Sequence, residues 1–282
     1  MSKGHNINRR KFLGFIGCSC CGYFLPSCGT VPITERRQLT LYSESVINRQ
    51  AAKAYENFKS KSKSKLITSG KELNNIIKIG EKIENAVSAF FQDKNETDPT
   101  KNFEWEYVLV DNKKVKNAWC MPGGKIAVFS GILDVAKNKD GLATIMGHEI
   151  AHAVAKHSVE RMSQAMAVNI GTQVADIFLG GQISRTRNTV GRATGMDIFQ
   201  LGIMNPFGRK QETEADYLGL IFSSLSGFNI KESTKLWERM GKANKGKEPP
   251  QFLSTHPSSK QRIKNLEGWI NKVILEYPPI KT

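Results

Sequence analysis

The sequence predicts an α+β fold, predominantly helical, with a few short strands between two long helices. Apolar residues recur at helical spacing over 71–92 and 140–164, and both stretches are long enough for packed helices. Between them, residues 103–110, 115–120 and 125–130 read as short strands, broken by Asp111-Asn112 and by Pro122-Gly123-Gly124. Hydrophobic residues make up 39% and charged residues 24% of a 282-residue chain, enough to bury a core without disulfide staples.

The N-terminus reads as an address. Lys3, Arg9, Arg10 and Lys11 precede an apolar run from Phe12 to Leu25 that is too short to span a membrane. Residues 1–27 are therefore expected to be a signal peptide. Leu25-Pro26-Ser27-Cys28 resembles a bacterial lipobox, with Cys28 as the acylated first mature residue. Phe15-Ile16-Gly17-Cys18 is a rival that leaves too little apolar sequence before the cut. Asn8-Arg9-Arg10-Lys11-Phe12-Leu13 resembles a twin-arginine export signal, and equally fits a plain basic head. The expected location is the bacterial periplasm, on a lipid anchor at Cys28.

The net charge of +15 suits an anionic membrane surface, and no nucleic-acid motif accompanies it. Four of the five cysteines lie at or before Cys28. Cys120 then stands alone, which excludes an internal disulfide framework and argues against a cysteine-based zinc site.

Taken in order, residues 29–42 look like an extended tether and 43–58 like a helix with Ser43 or Ser45 as its cap. The Lys/Ser alternation of 59–65 reads as solvated chain or as a basic face toward headgroups. In 71–92, Ile76, Ile79, Ile83, Ala86, Val87 and Phe90 mark the buried stripe, interrupted by Gly80. A further helix begins near Gly131, and 140–164 is expected as one unbroken helix. The apolar stretch 165–181 falls short of a membrane span. Residues 179–207, rich in Gly and polar residues, are expected to form a loop over a cleft.

The long helix carries His148-Glu149-Ile150-Ala151-His152. Positions four apart share a face one turn apart, so both imidazoles can reach one metal. Glu149 is too far round to be a ligand but stands where a general base is needed. Only five histidines occur in the chain, His5, His148, His152, His157 and His256. Downstream, Glu212 and Asp216 share a helix face. Glu212 suits a third ligand, and Asp216 suits an acceptor for the N–H of a ligand histidine. Glu214 points elsewhere. His157, five residues past His152, reads as a surface histidine, and Cys120 as a small core residue.

These two segments, H-E-x-x-H and E-x-x-A-D, resemble the gluzincin family of zinc metallopeptidases (peptidase family M48) that includes CAAX prenyl proteases and HtpX-, Oma- and BepA-like proteases. The resemblance runs from about Leu39 to Ile274 and points to the soluble periplasmic lipoprotein type. It implies a zincin-like fold with the sheet beside the motif helix, one Zn2+ per chain, and metalloendopeptidase activity. Asn117-Ala118 with Pro122-Gly123-Gly124 matches the strand that precedes the motif helix, and the resemblance implies that this edge pairs with an extended substrate. It also implies that His256, in Ser254-Thr255-His256-Pro257, lies near the zinc. There it either fills the open coordination position or stabilises the oxyanion, and Arg262 is a second candidate for that electrostatic role. A simple cap before the last helix is the other reading of His256.

The expected organisation is a signal peptide (1–27), a tether and N-terminal helix (28–66) and a catalytic domain (67–282). The expected substrates are unfolded or misassembled envelope proteins. A weakly proteolytic, autoinhibited chaperone-like factor working with outer-membrane assembly machinery is the alternative.

Overall fold

The computed structural model describes residues 28–178, 206–243, 251–257 and 260–280. The signal peptide and all but the last two residues of the expected 179–207 loop lie outside the described residues.

A two-stranded hairpin, β1 (Cys28–Thr30) with β2 (Arg37–Leu39), opens the described chain. It is followed by α1 (Glu44–Lys61), a short 3-10 turn (Lys63–Lys65) and β3 (Leu66–Ile67). Then come α2 (Lys71–Asp93), β4 (Glu106–Val110), β5 (Ala118–Met121) and β6 (Lys125–Phe129). The rest is helical: α3 (Ser130–Ala136), α4 (Lys139–Val154), α5 (His157–Phe178), α6 (Arg209–Leu225), α7 (Glu232–Lys242), α8 (Gln251–Thr255) and α9 (Lys260–Glu276).

Strands β3 to β6 form one sheet in the order β3-β4-β6-β5. β4 and β6 run parallel, and the other pairs are antiparallel. β5 is thus an edge strand. Alternation of side chains sorts its residues onto two faces. Ala118 and Cys120 join Ile126, Val128 and Leu109 in the main core under α2 and α4, whereas Trp119 and Met121 pack with Ala127 against Ala51 and Tyr55 of α1. Gly80 of α2 is required by close approach, because a Cβ there would stand 2.1 Å from the Tyr107 ring.

The contact that matters most for function is between α4 and α6. A Cβ on Gly219 would lie 2.9 Å from the backbone N of His148, and one on Gly147 would lie 3.0 Å from the backbone O of Gly219. Glycine at both places lets two backbones approach as no larger side chain would permit. Ser223 donates to the Ala143 carbonyl at 3.3 Å across the same seam.

Two expectations change here. The helix expected over 140–164 is broken after Val154: Lys156 takes a left-handed conformation (φ 56°) and α5 starts in a new direction at His157. The segment read as an extended tether is a hairpin docked on the body, with Arg36 paired to Glu160 and Glu214.

Candidate active site

Helix α4 is started by Asn138, whose side chain accepts the Gly141 N–H at 2.8 Å. Three turns on, His148, Glu149 and His152 are all buried. The two Nε2 atoms lie 3.1 Å apart. Glu212, on the first turn of α6, places Oε1 3.4 Å from His152 Nε2 and Oε2 3.6 Å from His148 Nε2. Ligand atoms at ~2.0–2.1 Å from one tetrahedral zinc are separated by about 3.3–3.4 Å, so this spacing fits the ion. The donor set fits as well, since two ring nitrogens and a carboxylate oxygen are the ligand types zinc takes in catalytic sites. His256 completes the group: its Nδ1 is 3.2 Å from His148 Nε2 and 2.9 Å from Glu212 Oε1. Burial alone would raise the Glu212 carboxyl, but His256, Arg262 and His152 outweigh it and hold the group well below the ordinary range.

Each ligand histidine is backed by a different group. His148 Nδ1 stands 3.2 Å from Asp216 Oδ1, without a well-aligned hydrogen bond. Asp216 in turn accepts two 2.7 Å bonds from Arg262, which also reaches Glu212 Oε2 at 2.6 Å and lies 3.8 Å over the Trp237 ring. His152 Nδ1 meets His157 Nδ1 at 2.8 Å, and His157 Nε2 meets Glu214 Oε2 at 2.9 Å. His157 is therefore no surface residue; it is fully buried, because the break at Lys156 turns it back against His152. Nor is Glu214 idle, for it accepts from His157, Arg36 and Thr34.

Glu149 is not among the ligand atoms. Burial raises its carboxyl above the ordinary value, and the charges of His256 and His148 oppose this. The backbone at Cys120 on the edge strand also favours its ionised form, and its Oε1 is 3.3 Å from His256 Nε2. Phe207 stacks on His152 with ring centroids 3.9 Å apart and on His256 at 5.4 Å. Cys120 is buried, and burial pushes its thiol far up, which fits a core residue.

Asn117 and Ala118 are buried at the start of the edge strand, and Asn117 Oδ1 has no hydrogen-bond partner among the described residues. Pro122, Gly123 and Gly124 form the turn into β6. Gly123 (φ 83°) approaches Asn48 of α1 and Gly124 (φ 81°) approaches Trp105, so this turn packs on α1 and the strand rather than on the histidine cluster. Thr34, Arg36, His157 and Glu214 are the site's residues that sequence reasoning missed. The five-residue step from His152 to His157 hid them, because it places both on one side of the chain only if the helix breaks.

The sequence model of peptidase family M48 matches residues 79–270. The chain is 33% identical over 272 residues to the mitochondrial metalloendopeptidase OMA1 of Schizosaccharomyces pombe, covering 94% of this chain and 74% of the relative. It is 29% identical over 270 residues to the OMA1 protein of Saccharomyces cerevisiae, covering 93% and 75%. To the β-barrel assembly-enhancing protease of Escherichia coli it is 24% identical over 179 residues, covering 60% and 35%. These matches overturn the expected bacterial periplasmic location. The similarity that covers 93–94% of this chain is to proteins named as mitochondrial, and it removes the support for the periplasmic lipoprotein type. Among the described residues no helix is long and apolar enough to cross a membrane.

Proposed function

The chain belongs to peptidase family M48 and is a zinc-dependent metalloendopeptidase. From that premise we propose that it cleaves unfolded or misassembled proteins, held as extended segments along β5, with Glu149 as the proton carrier. The observation that carries this reading is the convergence of His148, His152 and Glu212 at ion-sized separations, with Glu149 next to them and to the edge strand.

His148, His152 and Glu212 would hold the zinc, which supplies a Lewis acid for the scissile carbonyl and makes its water acidic. Two neutral rings and one carboxylate leave the site a single positive charge. The buried Glu149 has a carboxyl pushed toward working pH, where a group both takes and returns a proton well. It takes the proton of the attacking water and gives it to the leaving amine. The Cys120 backbone acts on it from the strand that would bind substrate. Main-chain pairing asks for little sequence, which suits unfolded chains. Arg262, committed to Asp216 and Glu212, would act by fixing and neutralising them.

Casein cleavage and zinc content, measured on wild type and Glu149→Gln, test this. The variant is expected to keep its zinc and lose about 10²- to 10⁴-fold in rate. An equally active Glu149→Gln protein would sink the proposal.

The alternative, an autoinhibited chaperone-like factor, draws on the position of His256 at the fourth corner of the cluster, under Phe207. The name of the Escherichia coli relative gives β-barrel assembly as one setting for it. Faster cleavage by His256→Ala would mark His256 as a plug on a working protease. If wild type and His256→Ala are both inert with zinc bound, the chaperone reading stands.

The leader has no acid before Glu35, a composition that suits an import presequence as well as a secretory head. Membrane attachment through Cys28 is the competing proposal. Mass spectrometry of the mature N-terminus decides it: an acylated Cys28 as first residue supports the anchor, and a start elsewhere rejects it.

A further inference from the structure

We propose that His157 is a positioning residue for the zinc ligand His152, and that the N-terminal hairpin holds it in place through Arg36 and Glu214. This rests on the zinc reading above and adds a part of the chain that the two sequence motifs do not include.

With Glu214 ionised and His157 neutral, the hydrogen bonds allow one proton arrangement. Glu214 receives His157 Nε2 at 2.9 Å, Arg36 Nε at 2.8 Å and the Thr34 hydroxyl, three donors on two oxygens. The Arg36 ion pair and these hydrogen bonds favour the ionised carboxylate, which can accept all three. A neutral His157 then carries its proton on Nε2, which leaves Nδ1 as a lone pair. That lone pair sits 2.8 Å from His152 Nδ1, so His152 donates there and turns the lone pair of its Nε2 toward Glu212 and His148. Glu214 thus selects the tautomer of a ligand two hydrogen bonds away. An outer partner of this kind fixes ring orientation and makes the ligand nitrogen more basic.

The hairpin closes the arrangement from outside. Arg36 lies between β1 and β2, in a turn with two non-glycine residues in left-handed conformation, Ile33 (φ 68°) and Glu35 (φ 54°). Its guanidinium bonds both oxygens of Glu160 on α5 at 2.8 Å while Nε bonds Glu214 on α6. Gln211 fixes Glu160 from the far side at 2.8 Å. One residue of the hairpin therefore ties α5 to α6 at the point where His157 and Glu214 meet. Without it, two carboxylates would face each other beside the relay with no cation between them.

The test is zinc affinity, read by competition with a chromophoric chelator on the full chain, with melting of the zinc-free protein as the folding control. His157→Ala is expected to weaken zinc binding about 10- to 100-fold, the usual loss for an outer-shell partner. His157→Gln, whose amide can accept from His152 and donate to Glu214, should restore most of that loss. Arg36→Ala, one step farther out, should weaken binding by about 3- to 10-fold, with zinc-free folding retained. Should His157→Ala fail to fold, Arg36→Ala and Glu214→Gln carry the decision. Wild-type affinity in the variants that fold would overturn the inference while leaving the zinc site itself intact. Failure of the wild type to bind zinc would instead remove the reading on which the inference rests.

Discussion

His148 and His152 stand one turn apart on one helix, yet the protein supports them by opposite means. Behind His148 is the body: Asp216 from α6 and Arg262 from α9, both buried, with Trp237 stacked on the guanidinium. Behind His152 is a longer path that ends at the surface: His157, Glu214, then Arg36 on a hairpin, with the Arg36 side chain 27% exposed. An arginine closes each path and a carboxylate stands inside it. The two differ in how deeply the arginine is set and in how many bonds separate it from the ligand. One half of the site is therefore as stable as the core, and the other is as stable as the docking of a short hairpin.

The sharpest way to break this comparison is to remove the two carboxylates in turn. Asp216→Ala leaves Arg262 buried without its main partner and is expected to cost about 3–5 kcal/mol in thermal or urea unfolding. Glu214→Ala should cost less, because Arg36 keeps Glu160 and reaches solvent. Equal losses would mean that the hairpin side is as rigid as the core side.

Gly219→Ala probes the seam that brings both halves to the same ion. Its Cβ would stand 2.9 Å from the His148 backbone, so α4 and α6 must part. A loss of about 1–3 kcal/mol is expected, together with weaker zinc binding as Glu212 moves from the histidines. Unchanged zinc affinity in a folded variant would show that the close approach does not set the site.

The smaller effects lie on the hairpin side. Arg36→Ala should destabilise the zinc-free protein by about 1–2 kcal/mol at neutral pH. Acid should diminish that difference. Burial alone would raise the carboxyls of Glu160 and Glu214, but hydrogen bonds from Arg36, Gln211, His157 and Thr34 hold both below their ordinary 4.5 in the folded protein. Unfolding then takes up protons, so their contribution is complete above about pH 4.5 and is lost as pH falls through the lower folded values. In chelator-treated protein the wild-type stability curve should steepen below about pH 4.5, and that of Arg36→Ala should be flatter. Parallel curves would remove Arg36 from the account.

The core side of this comparison was legible in the sequence and the hairpin side was not. His148, His152, Glu212 and Asp216 follow helical spacing of four, which projects groups onto one face whatever the tertiary fold. Gly147 and Gly219 went unread in the sequence, although a mid-helix glycine costs stability unless something packs against it. Thr34, Arg36 and Glu214 left no signal. Their meeting depends on a left-handed Lys156, a backbone reversal that a β-carbon disfavours and periodicity does not announce. The address at the N-terminus failed for another reason. A basic, acid-free head followed by apolar residues is common to bacterial export and organelle import, so the composition did not separate them.

The three-ligand site is tested most directly by metal analysis of wild type and Glu212→Ala after equilibration with buffered free zinc. About one zinc per chain is predicted for wild type, with a large loss of affinity in the variant while the fold is kept. Full zinc occupancy in Glu212→Ala at the same free concentration would contradict the meeting of α4 and α6 on a shared ion.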